Sequence, residues 1–332
     1  MRAIVIARPG GPEVLEPREV PRPVPGAGEV LVRVHATALN RADVLQREGR
    51  YPAPAGSPTH IPGLEFAGEV AELGPGARDW DPGDRVFGIT GGGAYAEYLV
   101  AHERAIAAIP DTLDWAAAAA VPEAFITAHD ALTTQSGTRL SERVLVHAVG
   151  SGVGLAAVQL ARAIGAVPYG TARKAAKVEA ARALGLEDGL VVSEDLAPMV
   201  ERARAWTAGV GMDVVLDLVG GAYVPASLEA LATHGRLILI GTLAGRAAEI
   251  PLGRVLASRL TLRGTVLRAR PLEEKIAATR AFARDVVPLL ASGAARPVLD
   301  RVYPLAEAAE AHRRMESNDT IGKIVLTMDH AD

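Results

Sequence analysis

The chain has 332 residues, 49% hydrophobic and 22% charged, with a formal net charge of −4 at pH 7. That length allows two domains and a sizeable core, and the acidic balance argues against nucleic-acid binding through a basic face. Cysteine is absent, which excludes disulfides and any thiolate zinc site.

In chain order, residues 2–7 read as a strand and residues 17–28 as a Pro-rich loop. Residues 29–36 alternate, with Val30, Val32 and Val34 on one face. Residues 40–47 suit one or two helical turns. Residues 63–73, 83–88 and 91–100 supply further strands among many Gly and Pro turns, so this part is β-rich. From Asp114 the style changes to Ala-rich helix. Strand candidates at 144–147, 167–171, 190–192, 213–217, 236–241 and 260–265 then alternate with helices at 155–164, 174–184, 198–207 and 222–232. Such alternation implies an α/β fold with a parallel, doubly wound sheet. A helix over 272–292 follows, then extended stretches near Val302 and at 324–326. No apolar run has the length of a signal or a membrane span, so a cytoplasmic protein without membrane attachment is expected.

The most informative segment is the apolar run 144–146, the turn with Gly150, Gly152 and Gly154, and the helix that follows at once. This order aims backbone N–H groups and a positive helix end at one point, where a pyrophosphate can sit. Gly150, Ser151, Gly152, Val153 and Gly154 are therefore candidate dinucleotide contacts. The spacing is G-x-G-x-G rather than G-x-G-x-x-G, and close packing alone is the competing account. Beyond the next strand an NAD-selective fold usually places an acid for the ribose hydroxyl. This chain has Thr171, Arg173, Lys174 and Lys177 there, a set suited to a 2′-phosphate, which favours NADP(H). The plain alternative is a solvated helix start. Gly241, Thr242 and Leu243 follow the fifth strand and are candidate nicotinamide contacts, because ligands of open α/β sheets bind beyond the carboxyl strand ends.

Several further segments stand in order: Ala38-Leu-Asn-Arg-Ala-Asp43, Gly63-Leu-Glu-Phe-Ala-Gly68, Ala71-Glu-Leu-Gly-Pro-Gly76, Gly91-Gly-Gly93, Val121-Pro-Glu-Ala124 with Thr127, Ser151-Gly-Val-Gly154, Val298-Leu-Asp-Arg301 and Ile321-Gly-Lys-Ile-Val-Leu326. Together they resemble the quinone oxidoreductase branch of the medium-chain dehydrogenase/reductase superfamily, in particular the p53-induced, zeta-crystallin-like type. The resemblance implies a GroES-like catalytic domain from residues 1–122 and 267–332 around a Rossmann domain of residues 123–266, usually as a homodimer. Zinc members carry Cys at the Asn40 position and Gly-His-Glu where this chain has Gly63-Leu64-Glu65. Leucine cannot coordinate a metal, so a zinc enzyme is not expected.

Without a Lewis acid, an acceptor that needs little activation is favoured, and a quinone is one. The expected reaction is zinc-independent hydride transfer from NADPH to a quinone. Asn40 and Asp43, three residues apart on one turn, share a face. The resemblance places them beside the nicotinamide and substrate, although capping of the turn would also explain them. By the same resemblance Tyr51 lies at the pocket rim, Thr127 near the nicotinamide and Lys323 near the cofactor. Valine at 192, where relatives often carry Tyr, departs from the pattern. Reduction of an alkenal or enone double bond and NADPH binding without turnover are the rival readings.

Overall fold

The computed structural model describes residues 1–329, so residues 330–332 of the expected second segment lie outside the described residues. The chain divides into two compact units, Met1–Ile126 with the segment from Leu267 onward, and Thr127–Val266.

The first unit is built on a seven-stranded sheet. Its order is Leu299–Pro304, Lys323–Thr327, Glu29–Ala38, Glu65–Leu73, Arg85–Ile89 and Ile106–Ala108, with Tyr98–His102 paired to Glu29–Ala38. The pairing between Leu299–Pro304 and Lys323–Thr327 is parallel and the others are antiparallel. Val30, Val32 and Val34 face the core as the alternation predicts, yet Leu31 is also fully buried. The second face of this strand is covered as well, because His35 stacks on Trp115 with ring centroids 4.2 Å apart. The helix expected over 272–292 is broken. It runs over Leu272–Asp285, and a separate turn covers Val287–Ala291. Pro288 is the cause: it has no N–H to continue the ladder and its ring clashes with the preceding turn.

The second unit is a six-stranded, wholly parallel sheet. Its order is Asp188–Val191, Val167–Ala172, Arg143–Val146, Met212–Asp217, Leu231–Leu239 and Thr261–Gly264. Counted along the chain this is 3-2-1-4-5-6, a doubly wound sheet that reverses between Arg143–Val146 and Met212–Asp217. The crevice at such a reversal is where ligands bind. Val144, Leu145, Val146, Val214, Val215 and Leu216 are fully buried, as central strands covered on both faces require. The helix Tyr223–Ala230 stops short of the expected residue 232, since Leu231 already pairs with Met212. Among the described residues no helix is long and apolar enough to cross a membrane.

Candidate active site

In the first unit Asn40 ends an extended segment and caps the helix Arg41–Arg47. The cap is reciprocal. The Asn40 side chain accepts from the Asp43 N–H, and the Asn40 N–H donates to Asp43 Oδ2 at 2.8 Å. Asp43 Oδ1 accepts the Gly63 N–H at 3.0 Å. Asp43 is fully buried, and burial pushes its pKa up to about 6 against the pull of these two donors.

Asn40 is also held sideways. Its Nδ2 donates to Glu65 Oε1 at 2.8 Å and to the Ala38 carbonyl at 3.3 Å. Its Oδ1 accepts from Lys323 Nζ at 2.7 Å. Lys323 Nζ donates as well to the Leu39 carbonyl at 2.7 Å and stands 2.6 Å from Glu65 Oε1. All three ammonium hydrogens are thereby engaged. The carboxylate and the ammonium also fix which way the Asn40 amide points, because Nδ2 cannot donate to an ammonium. The sheet brings these groups together, since Glu65–Leu73 and Lys323–Thr327 both pair with Glu29–Ala38. Glu65 and Lys323 are 0% and 5% exposed, so the pair is shielded from water.

Tyr51 is half-buried. Arg268 lies across its ring, 5.0 Å from guanidinium carbon to ring centroid. The same guanidinium donates to the Tyr51 carbonyl at 3.3 Å, to the Gly91 carbonyl at 2.9 Å and to Gln46 Oε1. Burial raises the Tyr51 phenol while Arg268 opposes the shift. Glu123, the second residue of the helix Pro122–His129, donates its N–H to Glu65 Oε2 at 2.8 Å. Burial first, then the Glu65 charge, pushes the Glu123 carboxyl up to about 8. Lys275 is half-buried and lowered, by burial and then by Arg268. Nothing in the sequence marks Arg268 or Lys275, and Glu65 and Glu123 stand out there only within motifs that carry the family resemblance. Charged residues of this kind are usually surface residues, and only the fold shows which ones it buries.

In the second unit the glycine turn leads into the helix Gly152–Ile164. Ser151 caps it, its Oγ accepting the Gly154 N–H at 3.1 Å. The N–H groups of Gly152 and Val153 have no intrahelical acceptor and lie in a partly exposed turn. A Cβ on Gly154 would sit 2.6 Å from the Ala148 carbonyl oxygen, and one on Gly150 2.6 Å from Lys177 Cβ. The turn therefore closes tightly around these two glycines. Ala148 before it takes a left-handed φ of 50°. At the facing strand end, Asp217 Oδ1 accepts the N–H groups of Val219 and Gly220 at 2.8 and 2.9 Å. Its Oδ2 is buried with no hydrogen-bond partner. Open N–H donors at a helix N-terminus and an orphaned acceptor at the same strand ends suit a phosphate-bearing, hydroxyl-bearing dinucleotide.

Arg173 and Lys174 are exposed and Lys177 is half-buried. Thr171 differs from expectation: it is fully buried, and its hydroxyl meets His147 Nδ1 at 2.8 Å rather than facing outward. Lys323 likewise has its ammonium taken up by three oxygens of its own unit. Thr127 is 9% exposed. Gly241 follows the strand Leu231–Leu239, a Cβ there would meet the Leu218 carbonyl oxygen at 2.6 Å, and Thr242 and Leu243 are exposed. Among the described residues no group of three or more His, Asp or Glu is placed to hold a metal ion.

Comparison with known proteins accounts for both units. Residues 26–111 match the alcohol dehydrogenase GroES-like domain, and residues 190–326 match the zinc-binding dehydrogenase family. The chain is 32% identical over 333 residues to the quinone oxidoreductase of Rattus norvegicus, covering 99% of this chain and 98% of that protein. It is 38% identical over 326 residues to the pikromycin polyketide synthase component PikAII of Streptomyces venezuelae, covering 97% of this chain and 8% of that protein. It spans from 5% to 15% of the length of four such synthases. Mycobacterial Rv1454c, solved in complex with NADPH, superposes with a TM-score of 0.87 at 31% identity, over 98% of this chain and 100% of that one. The chain belongs to the medium-chain dehydrogenase/reductase superfamily of oxidoreductases. Quinone oxidoreductases of matching length are among its relatives.

Proposed function

We propose that the protein is an NADPH-dependent quinone reductase that works without zinc. The observation that carries the cofactor is Arg173. It is exposed, just past the second Rossmann strand, and makes no hydrogen bond or ion pair among the described residues. No acid stands there to favour an unmodified ribose, and Lys174 and Lys177 add charge. Gly150, Ser151, Gly152, Val153 and Gly154 would hold the pyrophosphate, and Gly241, Thr242 and Leu243 with Thr127 the nicotinamide end. Bound there, the cofactor supplies the hydride.

The chain's own residues bind and orient. Leu64 leaves the site without a metal ligand at the histidine position of zinc relatives, so the acceptor must need little activation, as a quinone does. Tyr51, stiffened by Arg268, offers a flat face and a hydroxyl to a planar acceptor. Asn40 and Asp43, locked to each other, set the floor around which that acceptor is placed. Lys323 acts through Asn40 and Glu65 rather than by direct contact.

The match to a polyketide synthase component, at higher identity than the quinone oxidoreductase of Rattus norvegicus, favours a second reading in which a conjugated carbon–carbon double bond is reduced. A homodimer is expected at the sheet edge Thr261–Gly264, whose four residues are all exposed beside the exposed Leu256 and Val266. The test is loss of NADPH and of NADH absorbance with purified protein, given a quinone, an enone or no acceptor. Fast NADPH loss with the quinone supports the main reading, and loss with the enone alone replaces it by the second.

A further inference from the structure

Three carboxyl groups and three cations meet in the first unit, and one carboxyl differs from the rest. Both oxygens of Glu65 are engaged, Oε1 by Asn40 and Lys323 and Oε2 by the Glu123 N–H. Both oxygens of Asp43 accept backbone N–H groups. These two side chains are fully buried, and their donors suit the anionic form. Glu123 is partly exposed, so a ligand can reach it. Among the described residues its carboxyl makes no hydrogen bond and no ion pair, since its one bond runs through the backbone N–H.

The charged groups facing Glu123 are Glu65 on the adjoining strand, Asp43 on the helix Arg41–Arg47, Lys323 on the last strand, Arg268 and Lys275. Tyr51 also senses its charge. Lys323 and Arg268 are already satisfied by other oxygens. A further negative charge beside the fixed anion of Glu65, in a poorly solvated place, is disfavoured. That repulsion acts with burial to raise Glu123 to about 8. Both effects favour the protonated carboxyl, and among the described residues no acceptor takes up its proton.

We propose that Glu123 is the proton donor of the reaction, passing its carboxyl proton to the acceptor oxygen left negative by hydride addition. This rests on the reductase reading above. The balance is simple. The quinone gains two electrons and one hydrogen as hydride, Glu123 adds the second hydrogen as a proton, the product is the hydroquinone, and water returns a proton to the Glu123 carboxylate. A donor with a pKa near the working pH is the efficient kind.

The experiment joins two readouts on the full chain. Infrared spectroscopy at neutral pH should show a protonated-carboxyl carbonyl band that Glu123→Gln removes. With a quinone acceptor, Glu123→Gln should lower kcat by about a hundredfold. The KM for NADPH should stay as it was, and Glu123→Asp should recover part of the rate. The wild-type kcat should fall as pH rises through about 8, and the Gln variant should lose that limb. Absence of the band overturns the proposal whatever the substrate. A Gln variant with wild-type rate and pH profile overturns it while leaving the reductase reading intact. A wild-type protein that reduces no quinone overturns the reductase reading and, with it, the donor role.

Discussion

Lys323 and Glu65 form a buried ion pair, 2.6 Å from Nζ to Oε1, and Asn40 is hydrogen-bonded to both. Neither charge has water to fall back on. A buried pair of this kind adds little net stability over an apolar pair of the same shape, yet removing one member strands the other.

Lys323→Met should therefore destabilise the protein by about 3–5 kcal/mol, read as a drop in the urea midpoint with unchanged slope. Glu65→Gln in the Lys323→Met background should cost much less than it does alone. Losses that simply add would show that the two charges do not neutralise each other.

Arg173→Ala and Lys177→Ala should each raise the KM for NADPH about tenfold and leave that for NADH unchanged, as expected for loss of one charge-assisted contact to phosphate. Steady-state kinetics with both cofactors decides it. An equal rise for NADH would remove the 2′-phosphate role from the residue concerned.

Tyr51→Ala should lower kcat/KM for a quinone by about tenfold or more, the scale of losing one aromatic contact and one hydrogen bond. NADPH affinity, followed by quenching of protein fluorescence, should not change. Unaltered quinone turnover would take Tyr51 out of the pocket.

His147 titrates against folding. It is buried between Thr171 and Ser227, and burial pushes its pKa down from 6.5 to about 4. In that interval the unfolded chain binds a proton that the native protein does not. The stability linked to neutral His147 is therefore complete above pH 6.5 and is lost as pH falls toward 4, by about 3 kcal/mol. His312, pushed down to about 3 by burial and then Arg47, has the same sign. Asp43 and Glu123, both raised, have the opposite sign. Urea unfolding of wild type and His147→Gln across this range isolates the His147 share. Parallel curves for the two proteins would exclude it.

Much of the architecture is legible in the residues. The alternation after Asp114 gives the parallel sheet, and the apolar run before Gly150 gives its central strand. The three-residue spacing of Asn40 and Asp43 is a capping box because both side chains can reach back to the other's N–H. The network beyond that box is not legible. Lys323, Glu65 and Asn40 lie far apart in sequence and meet only through strand pairing. A hydroxyl among cations reads as a phosphate ligand at Thr171, while the inward direction of its side chain depends on strand register and on His147. Arg268 looks like any surface arginine until Gln46, Gly91 and Tyr51 surround it.

The position of Lys323 in the chain has a consequence for synthesis. Asn40, Asp43, Glu65 and Glu123 all leave the ribosome long before the strand Lys323–Thr327 does. Until that strand arrives, Glu65 has only the neutral donors Asn40 Nδ2 and the Glu123 N–H, and burying its charge without the ammonium is costly. The corner around Asn40 is therefore completed only after the strand Lys323–Thr327 has been translated, and a nascent chain stopped before Lys323 should leave it open to solvent and to proteases.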